Sequence, residues 1–182
     1  MLLIQLTGLS GSGKTTLAYG AAQRLEDGGI QVHIIDGDEY RKTLCRDLGF
    51  SKADRQENIR RLGAAAYKLL QPGSVAIISA INPFGETRKE LEERYDAQTV
   101  WINCPLPVLI QRDTKGLYRR AGLPEGDPQR VSNLTGVNDI YEAPLHPALT
   151  IHTHLTTTSE AIGQLCDYVW AKLGVEQRNS SS

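Results

Sequence analysis

Apolar residues along this chain fall into two alternating patterns, short continuous runs and longer stretches with a helical period. Leu2-Leu3-Ile4-Gln5-Leu6 reads as a strand, and Leu17 to Leu25 follows with helical spacing and good helix formers. Gln31 to Ile35 predicts a second strand, ended by Asp36-Gly37-Asp38. A long helix is expected from Arg55 to Leu70, starting near Ala53, because Ile59, Leu62, Ala66 and Leu69-Leu70 recur on one face. Pro72-Gly73 breaks it. Val75 to Ser79 is a continuous apolar run, the pattern of a central parallel strand buried on both faces. Glu86 to Tyr95 predicts a polar helix, Thr99 to Asn103 a fourth strand, and Leu149 to Thr153 a weaker fifth. Ser159 to Leu173 predicts a closing amphipathic helix with Ser159 as its N-cap. Strands alternating with helices imply an α/β fold, a central parallel sheet flanked by helices on both faces. Ligands then sit at the carboxyl ends of the strands.

Residues 115–147 break that rhythm. They are rich in glycine and proline, carry Arg119, Arg120 and Arg130, and show no long apolar period. A connection of this length is expected to be functional, here a lid, rather than a plain surface insertion.

The first strand and helix enclose Gly8-Leu9-Ser10-Gly11-Ser12-Gly13-Lys14-Thr15-Thr16, which satisfies G-x-x-x-x-G-K-[ST] at every position. Small residues let consecutive N–H groups point into one concavity that binds phosphate oxygens, and the helix N-terminus adds partial positive charge there. Lys14 would reach the β- and γ-phosphates and Thr15 would bind Mg²⁺. The stretch also contains G-x-G but lacks the third small residue of a dinucleotide fingerprint, so a nicotinamide cofactor is set aside. The expected nucleotide contacts are Gly8, Ser10, Gly11, Ser12, Gly13, Lys14, Thr15 and Thr16.

With 182 residues, 40% of them hydrophobic, the chain suits one domain, taken as 1–174, with a disordered tail over 175–182. A net charge of −1 gives no electrostatic case for nucleic acid or an anionic membrane, and no apolar run is long enough to span one. Cys45, Cys104 and Cys166 form no C-x-x-C pair and no charged leader precedes the first strand, as expected of a reduced, cytoplasmic protein.

Other residues add chemistry. Asp36 and Asp38 lie at the ligand edge, where one carboxylate can take the proton of an attacking hydroxyl and another can hold Mg²⁺. Asp-Gly-Asp equally favours a tight turn. Arg55, Asn58 and Arg61 recur on one helix face, either as a clamp for an anionic acceptor or as a solvated face paired with Glu57 or Asp54. Phe50, in a Gly-Phe-Ser turn, fits stacking on a nucleobase and equally packing on the next helix. Asp113 to Gly116 matches the D-x-x-G of GTPase switches, yet the guanine-reading Asn-Lys-x-Asp pattern is absent. His152 and His154 would share a strand face and read as structural.

In sum these residues resemble the adenylylsulfate kinase family, P-loop kinases that phosphorylate adenosine 5′-phosphosulfate (APS) on its 3′-hydroxyl. The phosphate loop, Asp36-Gly37-Asp38 with Arg41, Asp47-Leu48-Gly49-Phe50-Ser51, Glu57-Asn58-Ile59-Arg60-Arg61, Lys115-Gly116-Leu117-Tyr118 and Tyr141-Glu142 with Pro144 carry the likeness. It implies a three-layer P-loop NTPase fold with a lid, ATP as co-substrate, Mg²⁺ as cofactor, a homodimer, and a functional link to an ATP sulfurylase. It also implies that Asp38 is the base, with Asp36 at the metal beside Thr15 and Lys14 on the phosphates. Phe50 would stack on the acceptor adenine, opposite Leu134. Arg41, Arg55 and Asn58 would hold the phosphosulfate and ribose. Ile81, Asn82, Lys115 and Leu117 would complete the acceptor site, and Arg112 would lie by the ATP adenine.

The chain departs from the family pattern at Glu39, at Ile81-Asn82-Pro83-Phe84-Gly85, where a serine and an arginine are lost, at Leu134 in place of an aromatic residue, and at Asn138-Asp139-Ile140. Arg88 is a candidate replacement for the lost charge. Two alternatives follow: a kinase of the same chemistry acting on another nucleotide-linked anion, such as a cytidine diphosphate derivative, or a nucleotide-binding regulatory module.

Overall fold

The computed structural model describes residues 1–174, so the expected disordered tail lies outside the described residues. Five strands form one parallel sheet: β1 (Leu2–Thr7), β2 (Val32–Asp36), β3 (Val75–Ser79), β4 (Gln98–Asn103) and β5 (Leu149–His152). Their order is β2-β3-β1-β4-β5, which places β1 at the centre. Ile77 of β3 pairs with Ile4 of β1 on one side and with Ile34 of β2 on the other.

Because strand side chains alternate between faces, β1, β2 and β3 each feed two cores. Ile4, Leu6, Ile77, Val100 and Ile102 pack on one face against Leu17 and Leu25 of α1 (Lys14–Asp27) and Leu165 and Val169 of α7 (Thr158–Leu173). Leu3, Ile35, Ala76 and Ile78 pack on the other against Ile59, Leu62 and Ala66 of α3 (Lys52–Leu69) and Leu91 of α4 (Gly85–Tyr95). Burying one such aliphatic side chain contributes about 1.5–3 kcal/mol. Gln5 interrupts the apolar run of β1, and its buried amide is fully used. Nε2 donates to the carbonyl of Arg88 and to Thr99 Oγ1, and Oε1 accepts from Asn82.

Several boundaries differ from expectation. The closing helix is capped by Thr157 rather than Ser159, in a capping box with Glu160. Ser51 caps α3 through the Asp54 N–H. Three short helices went unread: α2 (Gly37–Tyr40), α5 (Leu106–Arg112) and α6 (Leu117–Ala121). Beyond α6 the lid segment is irregular, with one bridge between Thr135 and Asp139. Its buried residues Tyr118, Ala121 and Leu134 join Cys104 and Leu109 in a third small core. All three cysteines are unpaired and buried. No helix among the described residues is long and apolar enough to cross a membrane.

Candidate active site

The loop from β1 to α1 sits at the carboxyl edge of the central strand, and its shape depends on missing Cβ atoms. A Cβ on Gly8 would collide with the carbonyl oxygen of Ile102. Gly13, the residue before α1, has φ 101, a left-handed conformation that favours glycine. Lys14 lies along this loop, its Nζ donating to the carbonyls of Gly8 (2.9 Å) and Leu9 (2.8 Å). Burial pulls the Lys14 ammonium down to about 7; Lys115 adds to the shift, while Asp38 and Asp36 oppose it.

Asp36 ends β2 and does two things. Oδ1 accepts the N–H groups of Asp38 and Glu39, which caps α2 and turns the chain. Oδ2 accepts from Thr15 Oγ1 at 3.1 Å, and Ser79 Oγ at the end of β3 lies 3.3 Å from the same hydroxyl. The turn reading of Asp-Gly-Asp holds for Asp36, and its second oxygen faces the Thr15 hydroxyl. These are hard oxygen donors, and few of them. Among the described residues no group of three or more His, Cys, Asp and Glu could hold a metal. That set fits Mg²⁺, which keeps waters and phosphate oxygens as ligands and takes only one or two from protein.

A cleft of about 520 Å³ opens here, lined by Lys14, Thr15, Asp36, Asp38, Phe50 and Arg55, with Ser10, Gly11, Gly13, Thr16 and Ile81 around them. Lys115, Leu117 and Leu134 line it from the lid side. Asp38, Phe50, Arg55 and Ile81 also line an adjoining space of about 200 Å³ that contains Arg41, Asn58 and Asn82. A third space, about 110 Å³, lies on the far side of the loop between Arg112, Thr16, Ser12 and the threonines 153, 156 and 157. The residues singled out from the sequence line these three spaces, Arg112 the third, the loop residues the cleft or the third, and Asp38, Arg41, Phe50, Arg55 and Asn58 the cleft or the space adjoining it. Gly8 is the exception, because it supports the loop and does not line the cleft.

The side of the cleft beyond Asp38 is held by contacts of its own. The Arg41 guanidinium lies 4.6 Å from the centre of the Phe50 ring and that of Arg55 5.5 Å from it. Phe50 is 54% exposed, so it is a surface of the cleft and not a core residue. Arg41 donates to the carbonyl of Gly49, and Arg55 to those of Phe50 and Asn133. Arg55 also pairs with Asp139 of the lid at 2.9 Å. Across the cleft Lys115 Nζ sits 3.1 Å from Asp38 Oδ2, both side chains being more than half exposed.

Two readings, at Arg88 and Asn82, need correction. Of the two readings of this helix face, Arg61 follows the paired one, bonding Asp47 at 2.7 Å and Glu57 at 3.0 Å. Arg88 supplies no charge to the cleft; it is buried and donates to the carbonyls of Asn82 and Glu142. The Asn82 amide turns into the sheet towards Gln5 and takes φ 44, so its side-chain N–H is spent on structure. The Asp113 carboxylate accepts the N–H groups of Tyr118 and Arg119, so Asp113 to Gly116 is the turn that leads from α5 into α6.

The sequence reading missed several contributors. Ser79 sits beside Thr15, and Tyr118 Oη donates to the carbonyl of Ser10 at 2.7 Å, fastening the lid to the phosphate loop. Tyr141 Oη lies 3.1 Å from Thr7 Oγ1 at the other end of the lid. Ser79 was legible as the polar end of an apolar strand; the long-range pairs carried no local signal.

Comparison with known proteins identifies the family. The model of the family described as Adenylylsulphate kinase matches residues 1–152. The chain belongs to the adenylylsulphate kinase family. An adenylyl-sulfate kinase of Picosynechococcus is 42% identical over 160 residues, covering 87% of this chain and 88% of that protein. An APS kinase of Mycobacterium tuberculosis, solved in complex with AMPPNP and APS, is 33% identical with a TM-score of 0.84 and covers 92% of this chain and 96% of its own. A hexameric APS kinase from Thiobacillus denitrificans is 27% identical with a TM-score of 0.69, covering 97% of this chain and 30% of its own.

Proposed function

We propose that this adenylylsulfate kinase works as follows: Asp38 takes the proton of the APS 3′-hydroxyl while that oxygen attacks the ATP γ-phosphorus, giving 3′-phosphoadenylyl sulfate and ADP. One observation carries the reading. A single cleft brings the phosphate-loop lysine, two strand-end carboxylates, a cation-flanked aromatic ring and a lid lysine to the same opening. Membership of the family makes the chain an ATP-dependent kinase for APS; the roles of individual residues are our reading.

The protein's task in such a transfer is placement and charge. The loop N–H groups and Lys14 hold the phosphates, and Arg112 borders the space that suits the ATP base. Thr15 and Asp36 would hold Mg²⁺, which neutralises charge on the β- and γ-phosphates. Phe50 and Leu134 would flank the acceptor base, and Arg41, Arg55 and Asn58 would hold its anionic and ribose parts. Incoming phosphates compete with Asp38 for Lys115, so donor binding would free the carboxylate to act as base.

Self-association as a homodimer is a further proposal, supported by the hexameric relative and tested by light scattering on the purified protein. Supply of APS by an ATP sulfurylase follows from the same reading.

Leu134 and the inward-turned Asn82 amide favour one second reading, the same chemistry on a different nucleotide-linked anion. A panel of acceptors with Mg²⁺ and ATP tests both. APS preferred over cytidine diphosphate derivatives supports the first reading, and the reverse preference supports the second.

A further inference from the structure

We propose that Asp139 is a positioning residue for the acceptor, acting through Arg55; this rests on the reading of Arg55 and Phe50 as acceptor-binding groups. Arg55 is buried and its guanidinium spans two walls of the cleft. Nε donates to the Phe50 carbonyl at 3.0 Å, which fixes the Gly-Phe-Ser turn. Nη2 donates to the Asn133 carbonyl at 2.7 Å and pairs with Asp139 Oδ2 at 2.9 Å, which fixes the lid wall that begins at Leu134.

That wall is a small, self-bonded loop. The Leu134 N–H donates to Asn138 Oδ1, the Leu134 carbonyl accepts from Asp139 N–H, and the Asp139 carbonyl accepts from Gly136 N–H. Asp139 Oδ1 accepts from the Ile140 N–H, so the carboxylate is held in place when it meets Arg55. With Nε and Nη2 engaged, Nη1 is the nitrogen of Arg55 left to meet an acceptor anion. The carboxylate therefore sets both the orientation of that nitrogen and the separation of Phe50 from Leu134. Neither Arg55 nor Asp139 hydrogen-bonds to the phosphate loop, so the pair acts on the acceptor before the donor.

The test is steady-state kinetics of D139A and D139N beside the wild type, with ATP and APS varied in turn and thermal unfolding measured for each. In D139A the KM for APS rises about tenfold, equivalent to about 1.4 kcal/mol, while kcat and the KM for ATP stay within about twofold. D139N, whose amide oxygen can still accept from Arg55, falls between the two. Unchanged APS KM in both variants overturns the inference. A loss shared equally by both substrates with a lowered melting temperature also overturns it, because that is the mark of a role in folding alone. A lower APS KM in D139A overturns it as well, since the carboxylate would then compete with the acceptor. A wild-type enzyme inert towards APS overturns the acceptor reading itself, and this inference with it.

Discussion

Asp38 stands in the first turn of α2, three-quarters exposed at the mouth of the cleft, with Lys115 as its ion-pair partner. Its place beyond the phosphate loop is what makes it the candidate base. Asp38→Asn is expected to lower kcat by about 10²–10⁴, the usual contribution of a positioned base, with ATP affinity retained in a fluorescence or calorimetric titration. Lys14 makes a second prediction. Its proton is lost near a pH of about 7 in the free protein, and bound phosphates hold it on, so the pKa rises on binding. Affinity for ATP is then flat below about 7 and falls as the pH climbs above it, with proton uptake on binding in that window. Calorimetry in two buffers of different ionisation enthalpy at alkaline pH measures that uptake directly; equal heats in both buffers contradict it.

At the scale of elements, the two-faced sheet separates stability from chemistry. Leu165 of α7 is fully buried in the core on the α1 side. Leu165→Ala is expected to cost about 2–5 kcal/mol in denaturant unfolding and to leave both KM values unchanged. The strands and long helices were legible because their apolar periods face these cores. The start of α1 was not. Its first turn, Lys14-Thr15-Thr16, lines the cleft and carries no apolar period, so the pattern begins only at Leu17. The cap of α7 was legible and misread, since Thr157 and Glu160 have the capping-box spacing. Short α5 contains a proline and α6 begins at a left-handed glycine, and neither offers a period to read. In the site, the loop and Asp36 were legible because their partners are near in sequence or fixed by strand ends. Arg88 and Asp139 depended on partners brought together only by folding, whereas the Glu57 partner of Arg61 was legible at helical spacing.

Across the whole molecule, the 115–147 segment is fastened at several points. Tyr118 reaches the phosphate loop, Asp139 reaches α3 through Arg55, and Glu142 reaches α4 through its own carboxylate on the Gly85 N–H and through Arg88 on its carbonyl. Gly136 permits the closest approach, since a Cβ there would press on Leu9 at 2.5 Å and its φ of 85 favours glycine. Gly136→Ala is therefore expected to lift the lid from the loop and weaken both substrates together, read as a rise in both KM values. Ligands that bind only the folded form add to stability, about 2.7 kcal/mol at a hundredfold excess over Kd. Mg²⁺-ATP is accordingly expected to raise the melting temperature of the wild type and of Asp38→Asn alike. The most direct test of the central claim is the product formed from Mg²⁺-ATP and APS by the wild-type protein, resolved by mass and by ³¹P NMR. The account predicts ADP and an APS-dependent product carrying one new phosphoryl group on the ribose 3′-oxygen. ATP binding with APS returned unchanged would contradict it.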